Sequence, residues 1–115
     1  MSGPRPLDPV LGRFAERLRQ ETGAERVLLF GSHARGSAYR ESDYDFIVVS
    51  PRFAGVDRLQ RGLDLWDLWR DVGGREPMDV ICVTPEEFEQ ASQRITLIQA
   101  VLPESVDLLP TKATV

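Results

Sequence analysis

The sequence is poor in cysteine, lysine and histidine, with one of each: Cys82, Lys112 and His33. A lone cysteine excludes an internal disulfide and a zinc knuckle built on paired thiols. No apolar run approaches the length of a membrane span. The opening Met1-Ser-Gly-Pro-Arg-Pro6 lacks the apolar segment of a signal peptide, so a cytoplasmic location is expected and a membrane partner is not. Excess positive charge is missing as well. The 14 basic residues, 13 of them arginine, stand against 18 acidic ones for a net charge of −4. A chain that held nucleic acid mainly through its phosphates would lean the other way, so nucleic acid is not an expected partner.

What is present is ordinary for a globular domain. The 115 residues are 42% hydrophobic and 28% charged, which excludes collagen, a disordered tail and a disulfide scaffold. One domain over residues 1–115 with short tails at both ends is expected. A chain of this size buries roughly two thirds of its unfolded surface and supports a core without staples.

Asp8-Pro9 reads as a helix start, an acceptor at the cap followed by proline where no amide is needed. Leu7, Val10, Leu11, Phe14, Ala15 and Leu18 follow at helical spacing, and Gly23 closes the helix. Arg26 to Phe30 is a buried strand. Gly31 to Ser42 is polar, with room for one or two helical turns. Asp43 to Ser50 and Met78 to Val83 are β-rich strands. Pro51 to Gly55 is a loop, and Asp57 to Val72 reads as one helix ended by Gly73-Gly74. Thr84-Pro85-Glu86-Glu87 is a capping box that opens another helix. Ile95 to Leu102 reads as helical, and Val106 to Leu109 as a short edge strand or tail. This order predicts an α/β (α+β) fold: a mixed three- to four-stranded sheet flanked by helices, with the second and third strands parallel.

The acids then fall into a pattern. Asp43 and Asp45 lie two apart at the start of one strand and point to one face, and Asp79 lies near the start of the next. If those strands are parallel neighbours, three carboxylates converge at one sheet edge. If the first strand is antiparallel to the second, Gly31-Ser32 meets them there. Three close carboxylates repel unless protons or a cation intervene, and an all-oxygen set selects Mg²⁺ or Mn²⁺ over zinc. Glycine permits close approach of a phosphate to backbone amides, and Ser32 adds a hydroxyl.

Gly31-Ser32, ten residues, then Asp43-Tyr44-Asp45 resembles the signature of the DNA polymerase beta-like nucleotidyltransferase superfamily. The string Gly31-Ser-His-Ala-Arg-Gly36 with Ser42-Asp43-Tyr44-Asp45 is similar to its small branch, the minimal nucleotidyltransferases. Asp79 before Val80-Ile81 matches the third carboxylate, and the resemblance spans residues 27–88. It implies the nucleotidyltransferase fold, with Asp43, Asp45 and Asp79 as catalytic residues that ligate two Mg²⁺ ions. Asp79 would help deprotonate the attacking hydroxyl. Gly31, Ser32 and Arg35 would bind the nucleotide, with ATP as substrate, although Arg35 equally suits an ion pair with Glu41. An acceptor would attack the α-phosphorus in line and expel pyrophosphate.

Other residues have plainer readings. His33 is expected to be exposed and non-catalytic, Cys82 to be core, and Tyr39, Arg40 and Glu41 to overhang the site. On the helix from Asp57 to Val72, Leu59, Leu63 and Trp66 form one stripe and Leu65, Leu68, Trp69 and Val72 another. The second either packs within the domain or, with two tryptophans at hand, the apolar excess serves a partner. No base- or acceptor-gripping domain is recognisable after Phe88, so a homodimer or another polypeptide is expected to complete the pocket. The resemblance implies a HEPN-type toxin as that partner, with this chain as antitoxin transferring AMP to it. The alternatives are transfer to a small molecule such as an aminoglycoside, and a non-catalytic nucleotide-binding antitoxin.

Overall fold

The computed structural model describes residues 9–35, 43–93 and 97–109. Helix α1 (Pro9–Thr22) buries Val10, Leu11, Phe14, Ala15 and Leu18, the stripe its spacing predicts. It stops at Gly23, whose φ of 70° suits the left-handed cap that glycine tolerates. The cap residue Asp8 and the apolar Leu7 lie outside the described residues. Strand β1 (Arg26–Phe30), helix α2 (Ser32–Arg35) and strand β2 (Tyr44–Val49) follow. Next come α3 (Arg58–Arg61), α4 (Leu65–Asp71), β3 (Met78–Val83), α5 (Pro85–Ser92), α6 (Leu97–Val101) and β4 (Val106–Asp107).

The sheet has four strands in the order β3-β2-β1-β4. β2 is parallel to β3, as the length of the linker between them predicts, and it is antiparallel to β1, which meets the condition for Gly31-Ser32 to reach the acids. The last segment proves to be strand rather than tail, since β4 pairs antiparallel with the outer side of β1. Alternation along the strands splits the core. Val27, Leu29, Tyr44, Phe46 and Val48 pack with α1 and α4, while Leu28, Ile47, Val49 and Val83 pack with Phe88 and Ile98 of α5 and α6. In the larger half, Phe14 meets Phe46 and Trp69 edge-on at 5.0 and 5.1 Å. Trp69 donates its Nε1–H to the Glu76 carbonyl at 2.8 Å, so its one polar atom is satisfied. The capping box of α5 is complete: Glu87 N donates to Thr84 Oγ1 at 3.1 Å and Thr84 N to Glu87 Oε1 at 2.9 Å.

The single helix expected over residues 57–72 is two. α3 ends at Gly62, and α4 begins three residues later after a turn in which Leu65 N donates to the Gly62 carbonyl. The cause is tertiary. A Cβ on Gly62 would lie 3.0 Å from Cγ1 of Val80, so the chain passes against β3 here and turns. The break also resolves the two stripes. Leu65 and Trp69 are buried and Leu68 and Val72 pack beside them, whereas Leu59, Leu63 and Trp66 are 87%, 66% and 40% exposed. Trp69 therefore belongs to the core, and the apolar surface is carried by one tryptophan, not two. Of the helix expected over Ile95 to Leu102, the described part runs from Leu97 to Val101 and passes into a tight turn over Leu102–Glu104; Ile95 lies outside the described residues. Among the described residues no helix is long and apolar enough to cross a membrane.

Candidate active site

The site forms where β1 ends and β2 and β3 begin. Phe30, the last residue of β1, pairs with Asp45, and Asp45 pairs with Asp79 across the parallel ladder. Neighbours in register share a face, and Asp43 precedes Asp45 by two, so all three carboxylates rise from the α5–α6 side of the sheet. Asp43 and Asp79 are exposed and Asp45 is half-buried.

These carboxylates influence one another. The carboxyl of Asp45 is pushed above the usual range, first by its burial and then by the negative charges of Asp79 and Asp43, with His33 pulling the other way. Gly31 sits directly over this group. Its φ is 80°, and a Cβ built there would lie 2.5 Å from Asp45 Oδ2. Both the backbone conformation and the space require glycine. The short helix expected after Gly31 begins at Ser32, and its Ala34 N donates to the Gly31 carbonyl at 3.1 Å. The structure thus brings together Gly31, Asp43, Asp45 and Asp79 and sets the backbone of Ser32 beside them. The roles expected of the Ser32 hydroxyl, the Arg35 guanidinium and the loop residues Tyr39, Arg40 and Glu41 lie outside the described residues.

The donor chemistry fits a hard divalent cation: carboxylate oxygens from adjacent strands, one group raised by its burial and by the negative charge of its neighbours. Among the described residues, however, no three His, Cys, Asp or Glu side chains already stand close enough to form a metal-holding group. The carboxylates share a field without closing into a cage.

Two findings lay beyond the sequence reading. His33 is not a free surface residue: its ring is stacked on Tyr44, centroids 3.6 Å apart and planes 10° apart, because α2 folds back over the start of β2. Arg61 is buried. It donates to Val56 O at 2.9 Å, to Cys82 O at 3.1 Å and to Glu87 Oε1 at 2.7 Å, bracing α3 against β3 and α5 at the end of β3 remote from the carboxylates. Only the glutamate of this pair carried a local signal, through its capping box. Cys82 is core as expected, and burial pushes its thiol up to about 12, far from a nucleophile's range.

Among solved structures, a candidate nucleotidyltransferase from Sulfolobus solfataricus is similar over 86% of this chain and 76% of its own, with 20% identity and a TM-score of 0.56. BolA1 from Arabidopsis thaliana matches with 22% identity and a TM-score of 0.54, over 70% of this chain and 98% of its own. The BolA domain of SufE1 from the same plant gives the same identity and score, over 71% and 99%. These likenesses are of fold. Comparison with curated proteins finds no match. The nucleotidyltransferase domain model matches residues 11–113, a span that includes every strand and all three carboxylates, and the chain belongs to that family.

Proposed function

We propose that the chain is a divalent-cation-dependent adenylyltransferase that moves AMP from ATP to a hydroxyl of a partner protein. The observation that carries this reading is the register Phe30–Asp45–Asp79, which sets a glycine turn and three carboxylates at one sheet edge. Asp43, Asp45 and Asp79 would hold the cation, Mg²⁺ or Mn²⁺, in the two-ion manner that the family resemblance implies. Bound there, the cation supplies the positive charge that the carboxylates lack and that a triphosphate needs. Gly31, Ser32 and Arg35 hold the triphosphate from the opposite side. Asp79, on the outer strand, takes the proton of the acceptor hydroxyl as its oxygen bonds to the α-phosphorus. The bond from that phosphorus to the bridging oxygen breaks, and pyrophosphate leaves with the electron pair. Catalysis of this kind is mostly positioning and electrostatics.

A protein acceptor is favoured by the exposed Leu59, Leu63 and Trp66, an apolar surface of the kind partners cover. Together with the resemblance to minimal nucleotidyltransferases, it supports a HEPN-type toxin as that partner, neutralised in the cytoplasm by transfer of AMP. The test is label transfer from ATP with Mg²⁺ in a lysate of the source organism, comparing α- with γ-phosphate label. A protein band that needs the α-label and disappears with Asp79→Asn is the expected result. Absence of a band from a chain that binds Mg-ATP overturns protein adenylylation. Neutralisation of the partner by Asp43→Asn as well as by wild type would mark a binding antitoxin instead.

A further inference from the structure

The turn after β1 grips β2 from both faces. On the α5–α6 side, Gly31 lies against the carboxylate of Asp45. On the other side, two residues further on, the His33 ring lies flat on Tyr44. Tyr44 is itself anchored: it is buried, parallel to Phe46 at 6.2 Å and tilted against Trp69 at 5.3 Å. Ala34 adds a contact to the same core. Tyr44 is also the residue between Asp43 and Asp45, so whatever fixes its backbone fixes both carboxylates. The imidazole thus links the two halves of the site, the glycine turn and the acidic strand.

We infer that His33 is a positioning residue of the active site: its stack on Tyr44 sets the separation between the Gly31–Arg35 turn and the Asp43 and Asp45 carboxylates. The inference rests on the reading of this edge as a nucleoside triphosphate site, with phosphates at the turn and carboxylates across from it. The role assigned here is that of the stacked ring face. A phenyl ring meets it and a methyl group does not.

The experiment compares wild type, His33→Ala and His33→Phe in two readouts. The first, without nucleotide, is amide hydrogen exchange across residues 31–35 and, as an internal control, across β3. His33→Ala is expected to speed exchange in the turn and leave β3 unchanged, and His33→Phe to behave as wild type. The second is affinity for each of the four common nucleoside triphosphates with Mg²⁺. Loss of an aromatic stack predicts about a 3- to 10-fold weakening in His33→Ala, restored to within about twofold in His33→Phe. Unchanged exchange in His33→Ala overturns the inference whatever the nucleotides do, as does unchanged affinity. His33→Phe as impaired as His33→Ala overturns it too, because the imidazole and not the stack would then matter. A wild-type chain that binds none of the four overturns the reading of the site instead, and the exchange result then decides alone whether the stack holds the turn.

Discussion

Asp45 and Gly31 are in mutual contact, the carboxylate occupying the volume that a side chain at position 31 would need. The pair explains why the β1–α2 turn favours glycine. Gly31→Ala must adopt a positive φ and displace Asp45 Oδ2, and is expected to cost about 2 kcal/mol. Urea denaturation followed by circular dichroism measures it. A cost below about 0.5 kcal/mol, within the range of ordinary surface substitutions, would contradict the contact.

Repulsion among the carboxylates has a sign that can be checked. The Asp45 carboxyl is raised in the folded chain, so its contribution favours folding below the ordinary carboxylate range and is lost as pH rises through the folded value. Near neutral pH, without divalent cation, its charge is a burden. Asp79→Asn is therefore expected to lower the Asp45 titration and leave the chain equally or slightly more stable, by about 0.5 kcal/mol or less. Carboxyl-detected NMR titration and thermal melts in chelator test both.

Divalent cation should reverse that ordering. If Asp43, Asp45 and Asp79 hold Mg²⁺ or Mn²⁺ as proposed, the ion is expected to raise the Tm of wild type with the logarithm of its concentration once that exceeds the Kd. Asp79→Asn and Asp45→Asn should respond less or not at all. Equal shifts in all three would place the cation elsewhere.

The Arg61–Glu87 pair predicts an acid-sensitive contribution. Hydrogen bonds from Arg61 and from the Thr84 amide hold the Glu87 carboxyl down at about 2, below its unfolded value of 4.5. Its stabilisation is thus present above pH 4.5 and lost as pH falls toward about 2. Glu87→Gln keeps an acceptor for the capping box but leaves the buried guanidinium without its counter-charge. Since Glu87 is partly solvated, about 1–2 kcal/mol at pH 7 is expected, shrinking to nothing near pH 2. Chemical denaturation of both proteins at pH 7 and pH 3 tests it.

The broken helix separates a buried leucine from two exposed ones, with opposite consequences. Leu65→Ala removes a side chain that is 1% exposed and should cost about 2–5 kcal/mol, whereas Leu59→Ser and Leu63→Ser should stay within about 0.5 kcal/mol. Acrylamide should quench Trp66 and spare Trp69. Two quenchable indoles would mean that α4 packs otherwise.

The sheet was legible because β1 and β3 are short apolar runs, bounded by polar segments, that match their strands residue for residue. The candidate site was legible because two acids at a spacing of two must share a face, and because the β2–β3 linker is long enough for a parallel crossover. The break at Gly62 was not. The apolar period runs on through it, and the reason for the turn lies in Val80, eighteen residues away. Nor was the His33–Tyr44 stack, since nothing local to either residue announces a contact made only when α2 folds back. Arg61 was hidden for the same reason: two of its partners, Cys82 and Glu87, lie 21 and 26 residues away along the chain.

β3 is one of the two edge strands of the sheet. Val83 and Pro77 turn their carbonyls inward to Ser50 N and Tyr44 N, so by alternation the Cys82 carbonyl faces away from β2, toward the Arg61 guanidinium. Arg61 thereby acts as an edge guard, occupying an acceptor that another chain's strand would otherwise use. Arg61→Ala takes away more than an ion pair. It uncovers a template for strand addition, and the phenotype to expect is concentration-dependent self-association alongside the lower melting temperature.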